Sequence, residues 1–266
     1  MNTTEAARLA LACLDLTSLN DGDTESDIEA LCRRACGPHG NVAAVCVWPR
    51  FVALARARLP ATVRVAAVAN FPDGSADIER AVRDTQTIVD SGGQEVDVVI
   101  PYCELAAAPA LLDAVRRAAS GLTLKVILET GVLADTALIE QACRIALQSG
   151  ADFLKTSTGK TAVSATPAAA ELLLRAIAGN AAIAANATIN AIAANADAHS
   201  RVGFKAAGGI RSVADAAIYL ELTRRHLGDA ALSPARFRIG ASSVLADIEA
   251  VLAGQPGAAP AASGVY

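Results

Sequence analysis

The sequence has few aromatic residues, few histidines and no long apolar segment. Of its 266 residues, 3% are aromatic and three are histidine, whereas 53% are hydrophobic. We therefore expect a globular core built from Val, Ile, Leu and Ala. Asp, Arg or Asn interrupts every apolar stretch well before the length that a membrane-spanning helix needs. The formal net charge of −4, with no polybasic tract, argues against nucleic acid as a partner.

The cysteines and histidines are too scattered for a structural zinc site. Cys32 and Cys36 are four residues apart in a predicted helix, which is not a CxxC arrangement. No second cysteine pair and no histidine follows at the spacing of metal ligands. The N-terminus also lacks the basic and then apolar pattern of a signal peptide. We expect a cytoplasmic protein with reduced thiols and no zinc site.

Eight short apolar runs alternate with helical patterns along the chain. Several are nearly continuous in Val and Ile, which is typical of parallel strands buried on both faces. In a chain of this length, eight such runs predict a single (β/α)8 TIM barrel in the α/β class. An open doubly wound sheet is disfavoured because no GxGxxG motif follows the first run. The runs are 11–16, 42–48, 63–69, 96–100, 122–128, 152–155, 201–205 and 237–240.

The barrel is expected to be one domain over residues 1–254. The Ala/Asn-rich stretch near 176–198 is interpreted as a helical insertion, either one extended helix or a helix, a break and a second helix. Residues 255–266 are rich in Gly, Pro and Ala and predict a flexible C-terminal tail. Capping residues are predicted to open several helices, at Ser26, Ser75, Asp135, Thr166 and Ser212.

Two lysines close apolar strands, where a charged side chain is least expected. Lys155 ends the run before a hydroxyl-rich turn, and Lys205 ends the run before a Gly-Gly turn. Buried ammonium groups are costly, and two that are close together lower each other's affinity for a proton. A lysine with a depressed pKa is a nucleophile suited to Schiff-base formation with a carbonyl. The pair therefore predicts a covalent catalytic site.

Carboxylates are expected to converge on these lysines. Catalytic groups of such a barrel lie at the carboxyl ends of its strands, where Asp15 and Asp97 are found. Strand alternation puts Asp97 on the face of Val99, within the barrel mouth. Two other interpretations remain open. Lys155 and Asp97 could form a buried ion pair that stabilises the barrel, and Lys205 could bind a phosphate instead of modulating a pKa.

Three further polar positions also have structural alternatives. Asp15 could cap the following turn through Thr17 and Ser18. Cys46 could be an ordinary core thiol. Glu129 could pair with Lys125 or cap a helix.

Three turns that suit an anion follow the last three strands. They are TSTGK at 156–160, GGIR at 208–211 and GASS at 240–243. Glycines let backbone N–H groups approach an anion, and the phosphate site of such barrels lies after strands 7 and 8. The alternative is that these are simply tight turns. A P-loop is excluded because Leu154 stands where that motif requires its first glycine.

These motifs together resemble the deoxyribose-phosphate aldolase family of class I aldolases. The matching segments run in order over nearly the whole chain. They are LDLTSLN (14–20), VCVWPR (45–50), ANFPDG (69–74), EVDVV (95–99), KVILETG (125–131), GADFLKTSTGK (150–160), VGFKAAGG (202–209) and RIGASS (238–243). The family commonly has proline after the second lysine, where this chain has Ala206.

The resemblance implies a (β/α)8 barrel that reversibly cleaves 2-deoxy-D-ribose 5-phosphate into acetaldehyde and D-glyceraldehyde 3-phosphate, in deoxyribonucleotide catabolism. It also implies that the reaction needs no metal or organic cofactor. It implies that Lys155 forms the Schiff base, that Lys205 lowers its pKa and that Asp97 relays protons. The other implied catalytic residues are Asp15 and, on the tail, Tyr266. The implied substrate and phosphate residues are Thr17, Cys46, Gly159, Lys160, Gly208, Gly209, Arg211, Gly240, Ser242 and Ser243. Cys46 is expected to line the pocket, exposed to aldehydes. The partners expected are the sugar phosphate, the aldehydes and a second copy in a homodimer.

Two other classes of protein could use the same barrel. A phosphosugar isomerase would share the phosphate site but would not need Lys155. A non-catalytic barrel that binds a phosphorylated ligand would need no nucleophile. Trapping with borohydride distinguishes the aldolase from both.

Overall fold

Eight parallel strands close into a barrel in the computed structural model, which describes residues 1–188 and 202–260. Neighbours around the barrel are neighbours along the chain, and the first strand pairs with both the second and the eighth. The predicted (β/α)8 barrel is therefore confirmed. The strands are β1 (Leu14–Thr17), β2 (Ala44–Val47), β3 (Arg64–Ala69), β4 (Glu95–Val99), β5 (Thr123–Ile127), β6 (Phe153–Lys155), β7 (Gly203–Ala207) and β8 (Phe237–Ala241).

Helices surround the barrel and alternate with its strands. They are α1 (Thr3–Ala12), α2 (Glu25–Arg34), α3 (Val52–Arg58), α4 (Ile78–Asp90), α5 (Ala108–Ala118), α6 (Thr130–Leu133), α7 (Thr136–Gln148), α8 (Pro167–Thr188), α9 (Val213–Leu227) and α10 (Val244–Leu252). The first predicted strand began too early, because Leu11 belongs to α1. Across the described residues, no helix has both the length and the apolar character to cross a membrane.

The helix starts follow local hydrogen bonding. Asp135, Thr166 and Ser212 each accept a backbone N–H three residues later, as predicted. The other two predictions were wrong. Thr24 rather than Ser26 caps α2, and Asp77 rather than Ser75 caps α4. In both cases a second capping-type residue lies two positions away, so composition alone could not select between them.

Strand alternation divides each strand between two environments. Val96 and Val98 of β4 pack outward in the apolar layer between the strands and the helices. Asp97 and Val99 point into the barrel, as predicted, and Val99 lies in a small apolar cluster there. The interior therefore holds both charged and apolar side chains.

The Ala/Asn-rich stretch begins within α8. The helix continues without a break to Thr188. This agrees with an extended helix as far as the described residues reach, and residues 189–198 lie outside them. After α10, residues 255–260 contain neither helix nor strand, and the rest of the predicted tail, including Tyr266, lies outside the described residues.

Candidate active site

Three lysines surround a single buried carboxylate at the centre of the barrel. Asp97 Oδ2 accepts hydrogen bonds from Lys155 Nζ and Lys205 Nζ, each at 2.7 Å. Asp97 Oδ1 accepts one from Lys125 Nζ at 2.8 Å. All four residues are at most 3% exposed. The two predicted lysines and the predicted acid therefore meet, together with a lysine that was not predicted to be there.

A second group of charges lies beneath the first, towards the amino ends of the strands. Arg238 Nη1 donates to Asp15 Oδ1 at 2.6 Å, and Arg238 Nη2 donates to Glu95 Oε1 at 2.8 Å. Asp15 also contacts Lys205, and Glu95 contacts Lys125. The two groups therefore form one ionic network. We call its seven buried members the barrel network: Asp15, Glu95, Asp97, Lys125, Lys155, Lys205 and Arg238. The half-exposed Arg64 also pairs with Glu95, at 3.3 Å, but is not counted because water solvates its charge.

The barrel network has one more cationic residue than anionic residues. It contains three lysines and one arginine against two aspartates and one glutamate. If every group were ionised, one positive charge would be left uncompensated in the interior, where that is expensive. The network is neutral when one lysine gives up its proton.

The pKa shifts of the two strand-end lysines run in opposite directions. Burial lowers the pKa of Lys155, and the ammonium of Lys205 lowers it further against the opposing effect of Asp97. Burial alone would also lower the pKa of Lys205, but Asp15 and Asp97 together raise it. The expectation that both lysines lose affinity for a proton is thus wrong for Lys205, because it has two carboxylate partners. Lys155 is the amine that the site favours as a free base.

The carboxylates are held ionised by the same contacts. Burial acts to raise the pKa of Asp97, but the three lysines around it hold that pKa well below its usual range. Lys125, Lys205 and Arg238 likewise outweigh burial and lower the pKa of Asp15. Asp15 therefore acts as a partner of cations. The alternative that its side chain caps the next turn is wrong, since the Thr17 hydroxyl donates to the backbone oxygen of Asp15 instead.

Lys125, Glu95 and Arg238 were missed as members of the site. Catalytic groups of such a barrel are expected at the carboxyl ends of its strands, whereas these three residues lie one or two inward positions lower. Alternation contained the signal: Glu95 is two residues before Asp97, and Lys125 is two residues before the inward Ile127. In the barrel, Lys125 is directly opposite Asp97 in strand register.

A pocket of about 320 Å³ opens above the barrel network at the carboxyl ends of the strands. Lys155 reaches its floor. The other predicted residues that line it are Thr17, Gly159, Lys160, Gly208, Gly209, Arg211, Gly240, Ser242 and Ser243. Three more lining residues, Thr158, Ile210 and Ala241, belong to the predicted turns. The rest of the lining was not predicted and comes from Ser18, Leu19, Asn20 and Ala207. Lys155 and the three anion-type turns therefore share one cavity.

Cys46 differs from the prediction. Its side chain is completely buried in the apolar cluster inside the barrel, and it is not part of the pocket lining. Burial raises the pKa of its thiol. The expectation that Cys46 lines the pocket, exposed to aldehydes, is therefore wrong, and the alternative of a core thiol is correct.

Two glycines let the loops after β6 and β7 meet at the pocket. Gly159 and Gly208 have φ angles of 80° and 83°, which side chains rarely adopt. A Cβ on Gly208 would lie 2.6 Å from the Ser164 side chain and 3.1 Å from the Cα of Gly159. Lys160 connects the loop after β6 to the loop after β1, because its Nζ donates a hydrogen bond to the Leu19 backbone oxygen at 2.7 Å.

Gly240 makes room for the second lysine. A Cβ at this position would lie 3.0 Å from the Cε of Lys205 and 3.1 Å from the Cβ of Ala207. Both distances are shorter than ordinary contacts between carbon atoms. The missing side chain therefore leaves Lys205 free to extend between Asp15 and Asp97.

The barrel network is expected to be expensive to disrupt. Glu95→Gln would leave the charges of Lys125 and Arg238 undercompensated in the interior, so we expect a loss of about 3–5 kcal/mol in the free energy of unfolding. The matched control is Glu29→Gln, which breaks the 2.7 Å ion pair with the half-exposed Arg58 and should cost about 1 kcal/mol or less. Urea denaturation of both variants measures the difference. Equal losses would contradict the assignment of Glu95 to a buried network.

No metal site accompanies the barrel network in the described part of the chain. There, no group of three or more His, Cys, Asp or Glu side chains is arranged to hold a metal ion. The carboxylates present are instead bonded to lysine and arginine.

Comparison with known proteins assigns the family. A family model described as DeoC/LacD family aldolase matches residues 9–248. The chain is 46% identical over 269 residues to the deoxyribose-phosphate aldolase of Agrobacterium fabrum (strain C58), covering 98% of this chain and 96% of the relative.

Solved structures share the same barrel. One from Toxoplasma gondii ME49, described as a candidate deoxyribose-phosphate aldolase, is 24% identical with a TM-score of 0.83, covering 95% of this chain and 96% of its own. The deoxyribose phosphate aldolase of Aeropyrum pernix, described as a unique tetramer, is 25% identical with a TM-score of 0.69, covering 94% and 96%. The fold, the family model and the full-length relative agree, and the chain therefore belongs to the DeoC/LacD family of aldolases, enzymes of the lyase class.

Proposed function

We propose that the protein reversibly cleaves 2-deoxy-D-ribose 5-phosphate into acetaldehyde and D-glyceraldehyde 3-phosphate through a Schiff base on Lys155. One observation carries the proposal: a buried lysine with a lowered pKa lies at the floor of a pocket whose upper wall is made of anion-type turns. The full-length relative at 46% identity, a deoxyribose-phosphate aldolase, supports the substrate.

The free amine of Lys155 attacks the aldehyde carbon C1 of the open-chain sugar. Loss of water gives an iminium, which withdraws electrons from the bond between C2 and C3. That bond breaks as the C3 hydroxyl loses its proton, so glyceraldehyde 3-phosphate leaves and an enamine remains on Lys155. Protonation of the enamine at C2 and addition of water release acetaldehyde and restore the amine. Water is lost once and consumed once, so the cycle balances.

Asp97 and Lys205 are proposed to move the protons. Asp97 Oδ2 is 2.7 Å from both Lys155 Nζ and Lys205 Nζ, so it connects the reacting nitrogen to a protonated ammonium. A proton can pass along this path while the carboxylate stays ionised overall, with an ordered water reaching the substrate carbon. Asp15 holds Lys205 from the other side, and Thr17 orients the substrate at the pocket wall.

The phosphate is proposed to bind at the upper wall. Ser242 and Ser243 precede α10, whose N-terminus offers backbone N–H groups and the positive end of the helix dipole. Lys160 and Arg211 add positive charge to the same pocket. The backbone around the four glycines of the pocket completes the site. These glycines are Gly159, Gly208, Gly209 and Gly240. Binding so far from C1 positions the sugar for attack by Lys155.

Trapping with borohydride tests the proposal. The protein is incubated with acetaldehyde, reduced with sodium borohydride and mapped by peptide mass. We expect a stable two-carbon adduct on Lys155, together with acetaldehyde release from 2-deoxy-D-ribose 5-phosphate in a coupled assay. Lys160, which also lines the pocket, is the internal control and should remain unmodified. An unmodified Lys155 in folded protein would reject the Schiff base.

The remaining expectations belong to the same proposal. We propose a cytoplasmic homodimer that acts in deoxyribonucleotide catabolism without metal or organic cofactor, and a terminal Tyr266 that assists proton transfer. Light scattering distinguishes the dimer from the tetramer described for the Aeropyrum pernix enzyme. Removal of Tyr266 tests the role of the tail.

A further inference from the structure

Glu129 is a buried acid outside the barrel network, directly after β5. Its side chain is completely buried, and its φ angle of 53° lies in the left-handed region that non-glycine residues rarely adopt. The expected partner Lys125 is bonded to Asp97 and Glu95 instead. Although Glu129 precedes α6, its side chain makes no capping hydrogen bond there. Neither structural alternative therefore accounts for this carboxylate.

The carboxylate of Glu129 is bonded to the loop that follows β6. Its Oε2 accepts from the backbone N–H of Thr158 at 3.1 Å and from the Thr158 hydroxyl. Its Oε1 accepts from the Thr161 hydroxyl at 3.1 Å. The Thr158 hydroxyl in turn accepts from the backbone N–H of Lys160 at 3.0 Å. One acid thus holds both ends of the segment 158–161.

That segment forms one wall of the pocket. Thr158, Gly159 and Lys160 all line it, and the Cα of Gly159 lies against Gly208 of the opposite turn. The packing between α6 and this loop is also close behind the wall, since a Cβ on Gly131 would lie 1.9 Å from the Val163 backbone oxygen. The position of the wall therefore depends on the contacts that Glu129 makes.

The contacts of Glu129 are separate from the reacting groups. None of the three hydrogen bonds that Glu129 accepts involves Lys155, Asp97 or Lys205. Loss of Glu129 should therefore move the segment that faces the phosphate while the Schiff-base chemistry continues.

We infer that Glu129 is a positioning residue that sets affinity for the phosphate end of the substrate, acting through the segment 158–161. This inference rests on the proposed function. It predicts an effect on KM rather than kcat, and only for a substrate that carries the phosphate.

Glu129→Leu removes the acceptors and keeps most of the volume. We expect KM for 2-deoxy-D-ribose 5-phosphate to rise about tenfold or more, because the three hydrogen bonds that hold the wall are lost. The kcat/KM for unphosphorylated 2-deoxy-D-ribose should stay within about twofold, and borohydride should still trap acetaldehyde on Lys155.

Glu129→Gln is the conservative control. Its amide oxygen can accept both bonds from Thr158, and its amide nitrogen can donate to Thr161, so near-native KM is expected. Thr161→Val provides a second test if Glu129→Leu does not fold. It removes one hydroxyl outside the pocket lining and should raise KM in the same direction by a smaller factor.

Equal losses on both sugars, or no loss on either, would overturn the inference. If the wild-type protein cleaves neither sugar, the proposed function fails instead. The inference is then tested alone by titrating inorganic phosphate into wild type and Glu129→Leu, where weaker binding by the variant supports it and equal binding rejects it.

Discussion

Replacing Lys155 by alanine is expected to lower kcat by about 10⁴-fold or more, the scale observed when an enzyme loses its nucleophile. Among the described residues, Lys155 is the only lysine of the barrel network that lines the pocket, and its pKa is lowered. No neighbouring lysine can substitute for it, because Lys125 and Lys205 are fully buried against carboxylates. Acetaldehyde release and borohydride trapping measure the loss.

The same variant should remain folded. Removing Lys155 leaves two lysines and one arginine against three carboxylates, so the barrel network becomes balanced. The melting temperature is therefore expected to be unchanged or slightly higher. Retained turnover would reject Lys155 as the nucleophile, whereas inactivity with a strongly lowered melting temperature would leave a structural ion pair as the better account.

Replacing Lys205 by leucine should move the pH dependence of the reaction. The ammonium of Lys205 lowers the pKa of Lys155, so its removal raises that pKa. The charge balance agrees, because without Lys205 the network is neutral only when Lys155 keeps its proton. Less free amine is then present near neutral pH, because the fraction of free amine falls about tenfold each time the pKa rises by one.

We expect kcat/KM near neutral pH to fall about 10- to 100-fold, and the acidic limb of the pH profile to move to higher pH. Lys205→Arg is the control. It keeps a cation between Asp15 and Asp97, so its profile should stay near that of the wild type even if its rate is lower. An acidic limb at the wild-type position in Lys205→Leu would show that Lys205 does not tune the nucleophile.

Most of the fold could be predicted because parallel strands produce a strong local pattern. Eight apolar runs were found, and all eight are strands of the barrel. Their ends were less certain: Leu11 belongs to the run by composition but lies in α1, where it is buried in the apolar core. Similar ambiguity arose where two capping residues were close together, as at Thr24 and Ser26.

The upper part of the site could be predicted because its residues end strands, and strand ends meet at one face. The lower part could not be found by that rule. Glu95 and Arg238 lie near the starts of their strands, and each looks like an ordinary exposed charge at a strand entrance. Only closure of the barrel brings Arg238 Nη2 within 2.8 Å of Glu95 Oε1.

Side-chain environment was harder to predict than position. Cys46 is on an inward-facing position, as a pocket residue would be, but the apolar residues around it close the space above it. The sequence around Glu129 suggested only nearby partners, Lys125 or the next helix. Its hydrogen-bond partners Thr158 and Thr161 are 29 and 32 residues later in the chain. Long-range contacts of this kind depend on tertiary packing, which no local pattern contains.

The strands and the loops contribute different parts of the site, and this has a consequence for engineering. The groups proposed to do the chemistry are carried by β1, β4, β6 and β7, whereas most of the pocket wall comes from the loops that follow β6, β7 and β8. Libraries that vary the upper wall at Ser242, Ser243 and Arg211 can therefore be screened for acceptor aldehydes that carry no phosphate. Because the rigid barrel holds the amine, such libraries should lose few members to an inactive nucleophile.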